Sequence, residues 1–112
     1  MKARGAAAES RAAAFLASHG LRILERNFRT RVGEIDLVAE HDGTLVFVEV
    51  RMRASERFGG AAASITAPKR RRIVAAAQIY MTRVPADPPC RFDAVLVDGE
   101  GTIRWIPDAF QA

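Results

Sequence analysis

The chain reads as an α/β domain, a mixed central sheet flanked by helices in the order α-β-β-β-α-β-β. Three observations carry this reading. An Asp-Gly dipeptide, Asp42-Gly43, stands between two apolar-rich alternating segments, the strongest short-range hairpin signal because a type I′ turn needs positive φ at both central positions. An Ala-rich segment precedes the first strand pattern and ends at a glycine. A Thr-Ala-Pro sequence opens a second helical pattern, and the last two strand patterns follow it.

Taken in order, Arg4 to His19 is dense in alanine, with Phe15 and Leu16 on the apolar side and Gly20 placed as the stop, which predicts a helix. Leu21 to Arg29 alternates loosely and predicts a strand. Gly33 to Arg51, folded about Asp42-Gly43, supplies the second and third strands. Phe58 to Ile65 is a Gly- and Ala-rich connector. Thr66 caps a second helix, Pro68 is tolerated in its first turn, and Ile73, Ala77, Tyr80 and Met81 form its core stripe to about Arg83. Pro85, Pro88 and Pro89 then break the chain. Arg91 to Asp98 is apolar on both faces, Phe92, Ala94 and Leu96 on one and Val95 and Val97 on the other, and so predicts a central strand. Asp98 to Gly101 turns the chain into a last strand, Thr102 to Ile106, with Trp105 as a core aromatic.

The whole chain, residues 1–112, fits one domain with a sizeable core. Cys90 is a single cysteine and, with only His19 and His41 beside it, makes neither a disulfide framework nor a zinc set, so buried packing is its expected role. Glu9 and Arg11 interrupt the N-terminal apolar stretch before a signal-peptide core forms, and no run reaches membrane-spanning length, so a cytoplasmic protein without a membrane partner is expected.

The hairpin carries the chemistry. With Asp42-Gly43 as the turn, Asp36 falls opposite Glu49, and Glu34 falls opposite Arg51. Ile35, Leu37, Ala39, Val46, Val48 and Val50 collect on the other face as core. Like charges directly across a ladder are destabilising, so a cation is expected between Asp36 and Glu49; Mg²⁺ or Mn²⁺ suits oxygen donors of this kind. A one-residue slip, or a longer turn over His41 to Thr44, would separate the two acids.

Charge is distributed unevenly. Seven cations lie between Arg51 and Arg72 against the single acid Glu56, a local charge of +6 in a chain of formal net charge +4. Such a footprint points to a polyanion, nucleic acid above all, with Arg53, Arg57, Lys69, Arg70, Arg71 and Arg72 as the expected contacts. Cations in the first turn of a helix oppose its macrodipole, an arrangement that becomes favourable when a phosphate docks there.

Gly33-Glu34-Ile35-Asp36-Leu37-Val38, Val46-Phe47-Val48-Glu49-Val50-Arg51, Phe58-Gly59, Lys69 and Arg91-Phe92-Asp93 resemble the YraN family of small bacterial proteins over nearly the whole chain. That family is similar in turn to the restriction-endonuclease-like PD-(D/E)xK nucleases, Holliday-junction resolvases in particular. The resemblance implies a restriction-endonuclease-like core, a Mg²⁺ site formed by Asp36, Glu49 and the Val50 carbonyl, a contribution from Glu9 on the first helix, and a homodimer acting on DNA, branched or single-stranded. Glu9, Ala13 and Leu16 share one helical face, so Glu9 can face the sheet. Arg51 stands where such nucleases carry lysine; arginine keeps its proton and cannot serve as a base, though it can clamp a phosphoryl oxygen. Lys69 is the alternative ammonium. Three functions therefore stand open at the level of sequence: a Mg²⁺-dependent endonuclease with Asp36, Glu49, Arg51 and Glu9 in its active site, a catalytically inactive nucleic-acid-binding module, and a protein-interaction adaptor using the basic helix.

Overall fold

A computed structural model describes residues 2–53 and 65–112, with side chains from residue 6 and, before the gap, to residue 52. The elements follow the predicted order: α1 Lys2–Ser18, β1 Arg22–Thr30, β2 Gly33–His41, β3 Thr44–Arg53, α2 Ala67–Met81, β4 Cys90–Asp98 and β5 Ile103–Phe110. Arg57 and the connector glycines Gly59 and Gly60 lie outside the described residues, as does the side chain of Arg53. No described helix is long and apolar enough to cross a membrane.

The strands form one sheet in the order β1-β2-β3-β4-β5. Every neighbouring pair is antiparallel except β3 and β4, which run parallel; α2 lies between them in sequence, as a parallel pair requires. The helices cover opposite faces. Ala8, Ala12 and Leu16 of α1 pack on Leu37, Ala39, Val46, Val48, Val95 and Val97. Ile73, Ala76 and Ala77 of α2 pack on Val38, Leu45, Phe47, Phe92, Ala94 and Leu96. Burying a side chain such as Leu16 or Phe47, each almost wholly inaccessible, contributes about 2 kcal/mol, so both faces of β3 and β4 are anchored.

The predicted turn is present in detail. Asp42 and Gly43 have φ of 52° and 87°, and His41 pairs with Thr44, Ala39 with Val46 and Leu37 with Val48. The Thr66 hydroxyl accepts the Lys69 N–H at 3.3 Å and caps α2. Gly20, at φ 94°, ends the turn after α1 in the left-handed region.

Four expectations are corrected. Ile35 lies in the cluster beneath α2, not with Leu37; on the paired strand Asn27 takes φ 56°, and this left-handed residue breaks the alternation so that Phe28 and its partner Ile35 turn to the α2 side together. Glu34 is paired with Arg29 of β1 at 3.3 Å, not with Arg51. Cys90 is exposed at the start of β4. The last strand extends to Phe110 and includes Pro107, which the open side of an outermost strand tolerates.

Trp105 packs only partly into the core; its indole Nε1 donates to Asp93 Oδ2 at 2.9 Å. Asp93 is wholly buried and accepts further bonds from Arg91 Nε (3.0 Å), Arg91 Nη2 (3.2 Å) and the Asp108 N–H (2.9 Å). This carboxylate ties β4 to β5 where their register shifts between Phe92 and Ala94. Replacing Asp93 with alanine leaves the Arg91 guanidinium and two N–H donors without their acceptor, and a loss of about 3 to 5 kcal/mol is expected, read as a lower urea midpoint at unchanged slope.

Candidate functional site

The ladder between β2 and β3 runs from the turn to Leu37 and Val48. At the next position, where Asp36 and Glu49 meet, the strands begin to part and a side chain takes over: Asp36 Oδ2 accepts the Val50 N–H at 2.8 Å. Glu49 follows Phe47 on the α2 side of β3 and is 4% exposed. The two acids are thus brought together as the hairpin geometry predicted, close enough for the charge of Glu49 to act on Asp36. Burial, more than any other influence, pushes the Asp36 carboxyl up from 3.8 to about 8; the charge of Glu49 and, more weakly, that of Glu9 push the same way, against the Val50 N–H.

Two cations attend the pair. Lys69 Nζ lies 3.4 Å and Arg51 Nη1 3.7 Å from Glu49 Oε2. Lys69 reaches Glu49 from the first turn of α2, and Arg51 from two residues along β3. Glu9 acts on Asp36 through its charge. The described residues include no cluster of three or more His, Cys, Asp or Glu side chains suited to a metal ion, so Glu9 does not close into a triad with the pair.

The basic run does not act as one patch. Successive residues of a helix are turned by about 100°, and Lys69 to Arg72 fan out accordingly. Lys69 points to Glu49, while Arg70 Nε donates to the Ile65 carbonyl at 2.8 Å and its guanidinium lies 5.8 Å from the Phe110 ring centre. Arg70 and Arg71 border a shallow depression with Val74 and Gln78 on the outer side of α2. Arg72, with Lys69, faces the turn between β1 and β2 across a cleft of about 430 Å³ whose other wall carries Arg29, Arg31, Val32 and Glu34. Sequence reasoning did not single out Arg29 and Arg31; the available signal was their position flanking Thr30, a turn-forming residue between two strands. The Thr30 hydroxyl accepts the N–H groups of Val32 and Gly33, both at 3.1 Å, and donates to the Gly33 carbonyl at 2.8 Å, which fixes this turn. A Cβ on Gly33 would overlap the Arg72 carbonyl oxygen, so the turn sits directly on the backbone of α2.

The model for the uncharacterised protein family UPF0102 matches residues 8–97, a span that includes both acids, Lys69 and Asp93. The chain belongs to this family. Among its relatives, the UPF0102 protein of Dechloromonas aromatica is 60% identical over 110 residues, covering 98% of this chain and 90% of its own length. That of Paracidovorax citrulli is 59% identical over 115 residues, covering 99% and 84% respectively. That of Nitrosomonas europaea is 56% identical over 109 residues, covering 96% and 92%. Membership of UPF0102 accords with the YraN resemblance drawn from the motifs.

A carboxyl whose pKa rises on folding binds a proton more tightly in the folded state. Without divalent cations the stability contributed by protonated Asp36 is fully present below about pH 4 and is lost as pH rises through about 8. Unfolding free energy should fall across that window by up to about 1.4 kcal/mol per pH unit from this group. Urea titrations in chelator at several pH values should show the decline, and Asp36→Asn should flatten it.

Proposed function

We propose that this protein is a nucleic-acid-binding, Mg²⁺-dependent endonuclease acting on DNA phosphodiesters, with a restriction-endonuclease-like core. The observation that carries the reading is the pair of buried Glu49 and half-buried Asp36 with Lys69 beside it. Two carboxyl groups that cannot both ionise easily at neutral pH form an all-oxygen donor set whose conflict a divalent cation would relieve, and in that sense the residues fit Mg²⁺ or Mn²⁺. Asp36, Glu49 and the Val50 carbonyl would hold the ion; when bound it supplies Lewis acidity and lowers the pKa of a coordinated water.

The remaining work belongs to the chain. The Val50 N–H holds one Asp36 oxygen in place and leaves the other for a ligand. Lys69, half-exposed between the acid pair and the cleft, is placed to hold a phosphoryl oxygen and to stabilise charge building there. Arg51 adds a permanent positive charge on the same side of Glu49. Arg53, Arg57, Arg71 and Arg72 would contribute phosphate contacts along the strand, whereas Arg70 is engaged by Ile65 and Phe110. The resemblance extends this reading to a homodimer and to branched or single-stranded DNA.

A second reading, a binding module without cleavage, is favoured by the Arg51–Glu49 ion pair and by the lack of a third acid closing on the site among the described residues. Magnesium-dependent cleavage of branched, nicked and RNA substrates separates the two. Asp36→Asn and Glu49→Gln should each lower cleavage at least about 100-fold, and Lys69→Met should lower it about 10- to 100-fold; equal activity in all variants would refute a site at this pair.

Calorimetric titration with Mg²⁺ at pH 7 should release up to about one proton per ion, seen as a dependence of the heat on buffer ionisation enthalpy. The signal should vanish in Asp36→Asn.

A further inference from the structure

We infer that the cleft between the β1–β2 turn and the start of α2 seats one unpaired nucleotide of a nucleic-acid strand, its phosphate held by Arg31 and Arg72 with Arg29 and Lys69 alongside. This deepens the nuclease reading, since it names the substrate form that the acid pair would meet.

Charge is the first argument. Four cations line the cleft against one acid, Glu34, and Glu34 is already engaged by Arg29 at 3.3 Å. Among the described residues, Arg31 and Arg72 have no acidic partner. Two guanidinium groups lining one concavity favour an anion within it, and the planar fork of arginine matches phosphate oxygens in pairs.

Shape is the second. The cleft encloses about 430 Å³, within the range of small-ligand sites and of the order of one nucleotide. At one side Gly33 rests on the Arg72 backbone, so this socket is bounded there by main chain and open to solvent elsewhere. Val32, 42% exposed, offers an apolar surface beside the four cations, suited to the sugar or the face of a base. A paired nucleotide has its base stacked and its inner face covered; an unpaired one presents phosphate, sugar and base together.

Position is the third. Lys69 belongs both to the wall of the cleft and to the acid pair. A nucleotide in the socket therefore places the neighbouring phosphodiester of its strand beside Glu49 and Asp36.

The test is fluorescence anisotropy in chelator, with a labelled oligothymidylate of about twelve nucleotides and a blunt duplex of the same length as probes. Arg31→Ala/Arg72→Ala should weaken oligothymidylate binding about 10-fold or more and lower the slope of log affinity against log salt by about 1.4. Duplex binding should fall less than about 3-fold. Arg31→Lys/Arg72→Lys should keep the salt slope but only part of the affinity, since an ammonium lacks the paired donors of the fork, and Arg31→Glu alone should reproduce the loss if the double variant is poorly folded. Equal losses on both probes, or a loss under about 3-fold on the single strand, would overturn the socket. Because the chelator keeps divalent cations out of the assay, it reads the socket without the cation site, so failure of the one and failure of the other are seen separately.

Discussion

Two acids set against each other, Glu49 buried and Asp36 half-buried where β2 and β3 begin to part, are the constraint around which the rest of the molecule is arranged. An isolated hairpin would not hold Asp36 and Glu49 together, because like charges at that separation push strands apart. Here the cost is contained by surrounding groups: the Val50 N–H fixes Asp36, two cations flank Glu49, and burial favours a proton on Asp36. The apolar residues immediately before them, Leu37 and Val38 with Phe47 and Val48, are among the most deeply buried in the chain. Packing from both helices thus anchors the strands one step away from the point at which the acids act on each other.

The two helices have different relations to this site. α1 covers the far face and touches the acids through the charge of Glu9 alone. α2 packs on the near face and delivers Lys69 from its capped first turn. A parallel crossover between β3 and β4 is what permits this, since it obliges the connecting helix to lie across the sheet beside the strand that carries Glu49. One residue along β4 from Ala94, the partner of Glu49, the bonds received by Asp93 from Arg91, Trp105 and the Asp108 backbone hold β5 in place.

Much of this was legible in the amino-acid order because it depends on near neighbours. The Asp42-Gly43 turn sets its own register, and that register alone places Asp36 against Glu49. The division of Phe92, Ala94 and Leu96 from Val95 and Val97 follows from the pleat, and Thr66 caps its own helix. The misreadings have a different cause: each depends on which neighbouring strand or helix face a residue meets in three dimensions, which the alternation pattern does not specify. Ile35 changes sides because Asn27 on the adjacent strand adopts a left-handed conformation. Glu34 meets Arg29 because β1, and not the departing β3, is its neighbour there. The run from Lys69 to Arg72 looks like one basic patch on paper, yet helical geometry sends its members to the acids, the C-terminal strand and the cleft.

Gly33 sets the spacing of that cleft by having no side chain. Because the turn rests on the Arg72 carbonyl through bare backbone, the gap is gauged by main-chain atoms while the long cations on its rim can adjust their reach. Tolerance to change should therefore be inverted relative to apparent chemistry: exchanging one cation for another at the mouth is a minor adjustment, whereas adding a single methyl at the hinge would wedge the walls apart and carry Lys69 away from Glu49.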